Sequence, residues 1–536
     1  MVATEVGSRL KQYQSSARIL IIEAGPDVSG NSDILYSSPL DFLGGQFDWC
    51  YKSTPQKGLD GRQIDIPSGR ALGGGSVINS CGWFRGSRAD YDSWSEVVGD
   101  PRWSYDGQLP YFKKTEKWYD GLNPESHGTD GKLRIESPVS MNRIFPLADA
   151  IGRAWEELGV HRLPDGDFNA GINIGFGDLN ENRAQGARQI APLVYPLDGV
   201  TVLTDTLVGS ILIDESNSAI GVRLADGTDI LSDEVIASAG AFRTPQLLML
   251  SGLGPRGTLE GHSIEVKADI PGIGQNLNDH VIVYLNWKLK DPSKGYALGS
   301  SNTILAEPRF ATGSPMSYVA STRVPRLDLE AAIARDQGKV DPSHYLLKRE
   351  WAMAENLVLY LAMPPLGIDG THISTAQMGL KPTSRGTVTI SSKNPTDSPV
   401  IDPNYFATEV DKAVWRYSLR NIATFMTGDT ALGRDVVECE TPLPGFEPLT
   451  PHASDDYLDS RVKAQGMSTF HGCGTCAMGA VVDTDLRVKG IRNLRVVDAS
   501  VLPISIGAHI QAAVYALAEQ AAVIISQDKT SLAQGC

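Results

Sequence analysis

The stretch Ala17-Arg18-Ile19-Leu20-Ile21-Ile22-Glu23-Ala24-Gly25 limits what this chain can become more than any other. An apolar run closed by an acid and a glycine predicts a buried strand of a parallel sheet. Glu23 would then stand at the strand's carboxyl end, where a dinucleotide-binding sheet places the carboxylate that accepts ribose hydroxyls. Many strands end in Glu, so the position alone leaves its role open.

Glycine punctuation extends the pattern. Residues 70–79 carry Gly73, Gly74 and Gly75 ahead of the apolar Val77 and Ile78. Three glycines let backbone approach a flat or phosphorylated ligand without Cβ clashes, although a flexible turn would look the same. Residues 236–255 read as a strand, a tight turn, a helix opening at Pro245 and a glycine stop. The segment 272–280 follows and ends in His280, and 384–390 alternate like a half-exposed strand leading to 401–406. Residues 120–195 and 286–460 lack these glycine turns and read as a second module threaded through the first.

Two histidines stand at breaks between a glycine-bearing turn and a helical pattern. His471 lies in Thr469-Phe470-His471-Gly472-Cys473-Gly474-Thr475-Cys476, and His509 in Gly507-Ala508-His509-Ile510-Gln511. Side chains at such breaks can converge on a ligand, and imidazole suits proton transfer near neutrality. The plain alternative is two unrelated residues, one capping a helix and one on the surface. Phe470 is a candidate pocket wall, with core packing as its alternative.

Composition narrows the classes. At 536 residues the chain holds about two to four domains, or forms one large two-domain enzyme. A net charge of −15 argues against nucleic-acid binding, which needs a basic surface. No apolar run reaches the ~18 residues of a membrane span, and the N-terminus has no secretory h-region. The six cysteines, Cys50, Cys81, Cys439, Cys473, Cys476 and Cys536, are too sparse for a disulfide framework. No Asn-x-Ser/Thr sequon occurs, so a cytoplasmic protein is expected. Cys473 and Cys476 have CxxC spacing, but no second such pair completes a zinc site.

Taken together, these motifs resemble the glucose–methanol–choline (GMC) oxidoreductases, in family order from about residue 17 to 528. The resemblance rests on 72–79 with Arg85 and Gly86, on 240–255, on His471 to Gly479, and on Val497-Asp498-Ala499-Ser500-Val501-Leu502-Pro503. Within the family, the glycine-rich segment and the ending after His509 look most like fungal aryl-alcohol-oxidase-type and secondary-metabolite members.

The resemblance implies an α/β plus α+β fold, in which a Rossmann-like FAD-binding domain is interleaved with a substrate domain on an antiparallel sheet. Residues 1–118, 198–285 and 462–536 would form the first domain, and 119–197 and 286–461 the second. Glu23 would hold the adenosine ribose. Gly73, Gly74, Ser76, Asn79, Ser80, Cys81 and Gly82 would line the pyrophosphate and isoalloxazine. Val208, in a strand over 202–213, would meet adenine, and Asp498 and Ala499 would face the pyrophosphate and ribityl chain. Gln511 opens the last helix, whose positive end would face the flavin's pyrimidine edge. An apolar stripe of Ile510, Ala513, Val514, Leu517, Ala518, Ala521, Ile524 and Ile525 would pack that helix into the core.

The implied reaction is oxidation of a small-molecule alcohol. His471 takes the hydroxyl proton, His509 orients the alkoxide, hydride passes to flavin N5, and O₂ or a quinone-like acceptor receives the electrons. No metal is needed.

One family element is missing from the sequence. The GxGxxG loop should precede Glu23, yet only 22 residues do, and Val2 to Leu10 look like the body of the helix that follows it. Either the natural protein carries the loop ahead of Met1, or FAD binding is weakened by ~3–9 kcal/mol of charge-assisted hydrogen bonds. The second case admits a redox-silent lyase or cyclase on the same scaffold, using the same histidines. The expectation is that the chain as given folds and holds FAD poorly.

Overall fold

The computed structural model describes residues 1–36, 43–119 and 123–534. Cys536 lies outside them. In chain order, the strands that position the site are β1 (Leu20–Ile22), β2 (Gly175–Asp178), β3 (Thr201–Leu203), β4 (Val208–Ile213), β5 (Ala219–Leu224), β6 (Asp229–Leu231), β7 (Val235–Ala237), β8 (Val281–Leu289), β9 (Tyr318–Thr322), β10 (Ala354–Leu359), β11 (His372–Gly379), β12 (Val437–Thr441), β13 (Met467–Ser468) and β14 (Leu494–Val496). The helices are α1 (Val2–Tyr13), α2 (Gly240–Leu250), α3 (Glu409–Thr427) and α4 (Gln511–Gln534).

The apolar run forms β1, paired in parallel with β3 from Leu20↔Thr201 to Ile22↔Leu203. A second parallel pair joins β7 to β14. Helix α1 buries Val2, Val6 and Leu10, one stripe at i, i+4, i+8, and packs on α4. Arg9 crosses that interface, its Nε 2.7 Å from Glu519 Oε1. Helix α4 is buried on every side from Ala512 to Ala522, so it is a core helix and not merely a striped one. Ile510 precedes its first turn.

Two local expectations change. The single strand over 202–213 is two strands, because Asp205 adopts φ 51° and turns the chain out of the parallel pair. Val208 then opens the antiparallel sheet β4-β5-β6. Helix α2 begins at Gly240, not at Pro245, so the proline sits inside it. Proline offers no N–H to the carbonyl four residues back. That carbonyl, Ala241 O, instead accepts from Thr475 Oγ1 at 2.6 Å.

The large antiparallel sheet runs β12-β8-β11-β10-β9-β2, with β13 also paired to β8. Strand β8 crosses residue 285, so the sheet runs through the boundary expected there. Period-two alternation divides its faces. Val283, Leu285, Trp287 and Val358 share one hydrophobic cluster with Trp415, Leu419 and Ile422 of α3. Ile282, Leu357, Leu359, Ala376 and Met378 face the other way, into the cluster that contains α4. The site lies on this second face.

Trp287 is fully buried on the first face, its Nε1 donating to Thr375 Oγ1 at 2.8 Å. Trp287→Ala should therefore cost about 3–5 kcal/mol of stability in denaturant unfolding. A loss below 1 kcal/mol would contradict this packing.

Candidate active site

A cavity of about 1450 Å³ lies between the parallel pairs, α1, α4 and the second face of the sheet. Drug-sized ligands occupy roughly 300–1,000 Å³, so this space suits a dinucleotide with a small molecule beside it. Its wall includes Glu23, Gly73, Gly74, Asn79, Ser80, Cys81, Gly82, Val208, Asp498, Ala499, Gln511, Phe470, His471 and His509. Ser76 is the exception among the expected residues. It is buried outside the wall, donating from Oγ to Gly73 O at 2.7 Å and accepting from Ala191 N at 3.0 Å.

The residues present fit FAD. A Cβ added at Gly75 or Gly240 would meet nothing within 4 Å, and both glycines open on the cavity. Gly74 takes φ 51°, ψ −128°, a conformation closed to other residues, as it turns backbone toward that space. Gln511 ties the loop at 79–82 to the start of α4: its Oε1 accepts from Asn79 Nδ2 at 2.5 Å and its Nε2 donates to Gly82 O at 2.9 Å. Asp498 spends its carboxylate within the protein, accepting from Gly240 N, Thr244 Oγ1 and Ser500 N. Glu23 Oε1 accepts from Gly25 N at 2.8 Å, and burial raises its pKa.

His471 and His509 meet at the sheet end of the cavity, ring centroids 4.9 Å apart. The short strand β13 delivers His471: Ser468 pairs with Val281 and Met467 with Ile282. Beyond the pairing, Thr469 N and Oγ1 both donate to His280 O, at 2.9 and 2.7 Å. Phe470 holds φ 66°, is 37% exposed and borders the cavity. His509 comes from the turn before α4, and its Nε2 lies 2.8 Å from Glu355 Oε1. Its Nδ1 faces Gly82, where an added Cβ would sit 3.4 Å away.

Three supporting residues were not singled out from the sequence. Asp279 is buried, and its Oδ1 accepts from His280 N and His471 N, both at 2.9 Å. Its Oδ2 accepts from Ser468 Oγ at 2.5 Å and from the Tyr405 hydroxyl. Burial outweighs these bonds and pushes the carboxyl up to about 6. His280 places its Nδ1 3.0 Å from His471 Nδ1. Glu355 is a fully buried acid in strand β10, next to the buried Asn356. The Cys473 thiol is buried and pushed up to about 12, which opposes thiolate chemistry there.

Comparison with known proteins agrees with this geometry. Profiles described as GMC oxidoreductase match residues 15–282 and 382–518. The GMC-type oxidoreductase acuG of Aspergillus aculeatus is 40% identical over 94% of this chain and 93% of its own length. Versicolorin B synthase stcN of Emericella nidulans is 32% identical over 89% of this chain and 79% of its own. Among solved structures, formate oxidase of Aspergillus oryzae superposes with a TM-score of 0.86 at 27% identity, covering 99% of this chain and 97% of the other. The chain belongs to the GMC oxidoreductases, a family of FAD-dependent enzymes. Among the described residues no helix is long and apolar enough to cross a membrane.

Burial first, then the neighbouring His509 and His280, lower the His471 pKa well below 6.5. The ring should therefore stay neutral through pH 6.5 and take its second proton only in more acid solution. An NMR pH titration of His471 with a midpoint at or above 6.5 would contradict this.

Proposed function

We propose that this protein oxidises an uncharged, largely apolar primary or secondary alcohol to a carbonyl compound, with FAD as its cofactor. The observation that carries the reading is the His471–His509 pair facing an apolar wall. Ile282, Tyr284, Leu357, Leu359, Ala376 and Met378, with Met467 and Ser468 of β13, form the sheet's share of that wall and bear no charge. Glu355 stands behind His509 instead of lining the cavity. A cationic or anionic alcohol would find no counter-charge on this surface.

Neutral His471 is suited to accept the hydroxyl proton. His509, oriented by the 2.8 Å contact of its Nε2 with Glu355 Oε1, would stand beside His471 and hydrogen-bond the developing alkoxide. Glu23, Gly73, Gly74, Asn79, Ser80, Cys81, Gly82, Val208, Ala499 and Gln511 would hold the cofactor. Bound FAD supplies the hydride acceptor, and dioxygen or a quinone-like compound would take the electrons onward. A cytoplasmic setting is part of the proposal, supported by the free thiols of Cys50, Cys81, Cys439, Cys473 and Cys476.

The likeness to a protein named as a synthase favours a second reading, a redox-silent lyase or cyclase in which the same histidines act as acid and base. Absorbance separates the two. Bound flavin that is reduced in step with alcohol oxidation, and reoxidised by the acceptor, supports the first, and a colourless, active protein supports the second.

His471→Ala should lower kcat by ~10²–10⁴-fold at unchanged flavin content, the usual cost of losing a general base. Wild-type kcat in that variant would contradict the assignment. His509→Asn should keep more activity than His509→Ala, because an amide still donates a hydrogen bond. Equal losses would remove the donor role.

A further inference from the structure

We infer that His280 is a positioning residue that fixes the tautomer of His471, so that the unprotonated Nε2 faces the cavity. The bonding runs in one direction from a fixed end. Ser505 Oγ lies 3.1 Å from Leu380 O, and a carbonyl can only accept. The single hydroxyl hydrogen of Ser505 is assigned to that carbonyl, which also accepts from the His280 ring. In its 2.8 Å contact with His280 Nε2, the serine oxygen must accept, so His280 carries hydrogen on Nε2. A neutral His280 then has a bare Nδ1. Across the 3.0 Å contact to His471 Nδ1, His471 must be the donor. Its own hydrogen is held on Nδ1, and Nε2 keeps a lone pair. That nitrogen has no hydrogen-bond partner among the described residues, and the ring lines the cavity.

The surroundings hold this chain in place. Lys381 Nζ donates to Ser505 O and sits 2.8 Å from Asp90 Oδ1, which also accepts from Gly507 N. Asp279 grips the backbone N–H groups of both His280 and His471. The charged and titratable groups around His280 are thus Asp279, Lys381, Asp90, His471 and His509. Burial, aided by His509 and Lys381, lowers the His280 pKa to about 3, so the ring stays neutral near neutral pH.

The tautomer matters because a His471 with hydrogen on Nε2 would present a donor, not an acceptor, to an alcohol. Which nitrogen is protonated is set by the bond the other nitrogen makes. Here the partner is a neutral imidazole instead of a carboxylate, so it orients His471 without adding a negative charge beside it.

The kinetic part of the test rests on the alcohol-oxidation reading, whereas the spectroscopic part does not. In the full chain labelled with ¹⁵N-histidine, His471 should show a protonated Nδ1 and a bare Nε2 at neutral pH. His280→Leu should mix or invert that pattern. It should also lower kcat by ~10²-fold or more, with KM within about threefold and flavin content unchanged. His280→Asn places an amide oxygen near the position of Nδ1 and should restore kcat to within ~10-fold of wild type. A protonated Nε2 on His471 in the wild-type protein would overturn the inference, as would wild-type kcat in His280→Leu. Should His280→Leu fail to fold, the wild-type spectrum and the Asn variant decide alone. Should no alcohol be turned over, the oxidase reading falls, and the ¹⁵N pattern still decides the tautomer.

Discussion

The site depends on a two-residue pairing, β13 on the first residues of β8. Met467 and Ser468 extend the large sheet by one short strand, and that step carries residues of the C-terminal segment onto the start of β8. Asp279 closes the junction, because its carboxylate takes two backbone N–H groups and two hydroxyls from three separate segments. Hydrogen bonds to an acid of this kind contribute about 1.5–3 kcal/mol each when it is ionised. Burial works against ionisation and holds the carboxyl near 6. Without this junction His471 would hang on a loop whose Phe470 already sits at positive φ.

The second support comes from the sheet's alternation and the buried helix α4. One face of the sheet packs on α3, and the other leaves an apolar wall with one acid, Glu355, beside the turn that bears His509. That turn is itself held, since Asp90 takes Gly507 N and Gln511 binds the loop at 79–82. The two histidines therefore approach from independent elements, each fixed by its own buried carboxylate. Their separation is set by backbone anchoring more than by contact between the rings.

Much of this was legible in the sequence where local pattern and structure coincide. The run at 19–22, the glycines at 73–75 and the helix after His509 each announce themselves through periodicity or turn chemistry, and α1 begins where a helix body was expected. The histidine pair was visible because both members interrupt glycine turns. Legibility failed where a partner from far along the chain decides the outcome. Nothing near Pro245 says that Thr475 will satisfy the carbonyl it frees, so the local pattern puts the helix start at Pro245, five residues after Gly240. Ser76 is expected at the ligand from its loop, and its side chain is bonded to Gly73 O and Ala191 N. His280 and Glu355 acquire roles only through strand register, 191 and 154 residues from their histidine partners.

In the proposed function the cavity-facing histidines serve hydride removal from an alcohol. Anaerobic mixing of the flavin-loaded protein with an apolar alcohol, and with the same alcohol deuterated at the carbinol carbon, tests it most directly. The expected result is bleaching of the flavin absorbance, slowed by deuteration, with one carbonyl product formed per flavin. Conversion of the alcohol with the flavin spectrum unchanged, or bleaching indifferent to deuteration when chemistry limits the rate, would contradict it.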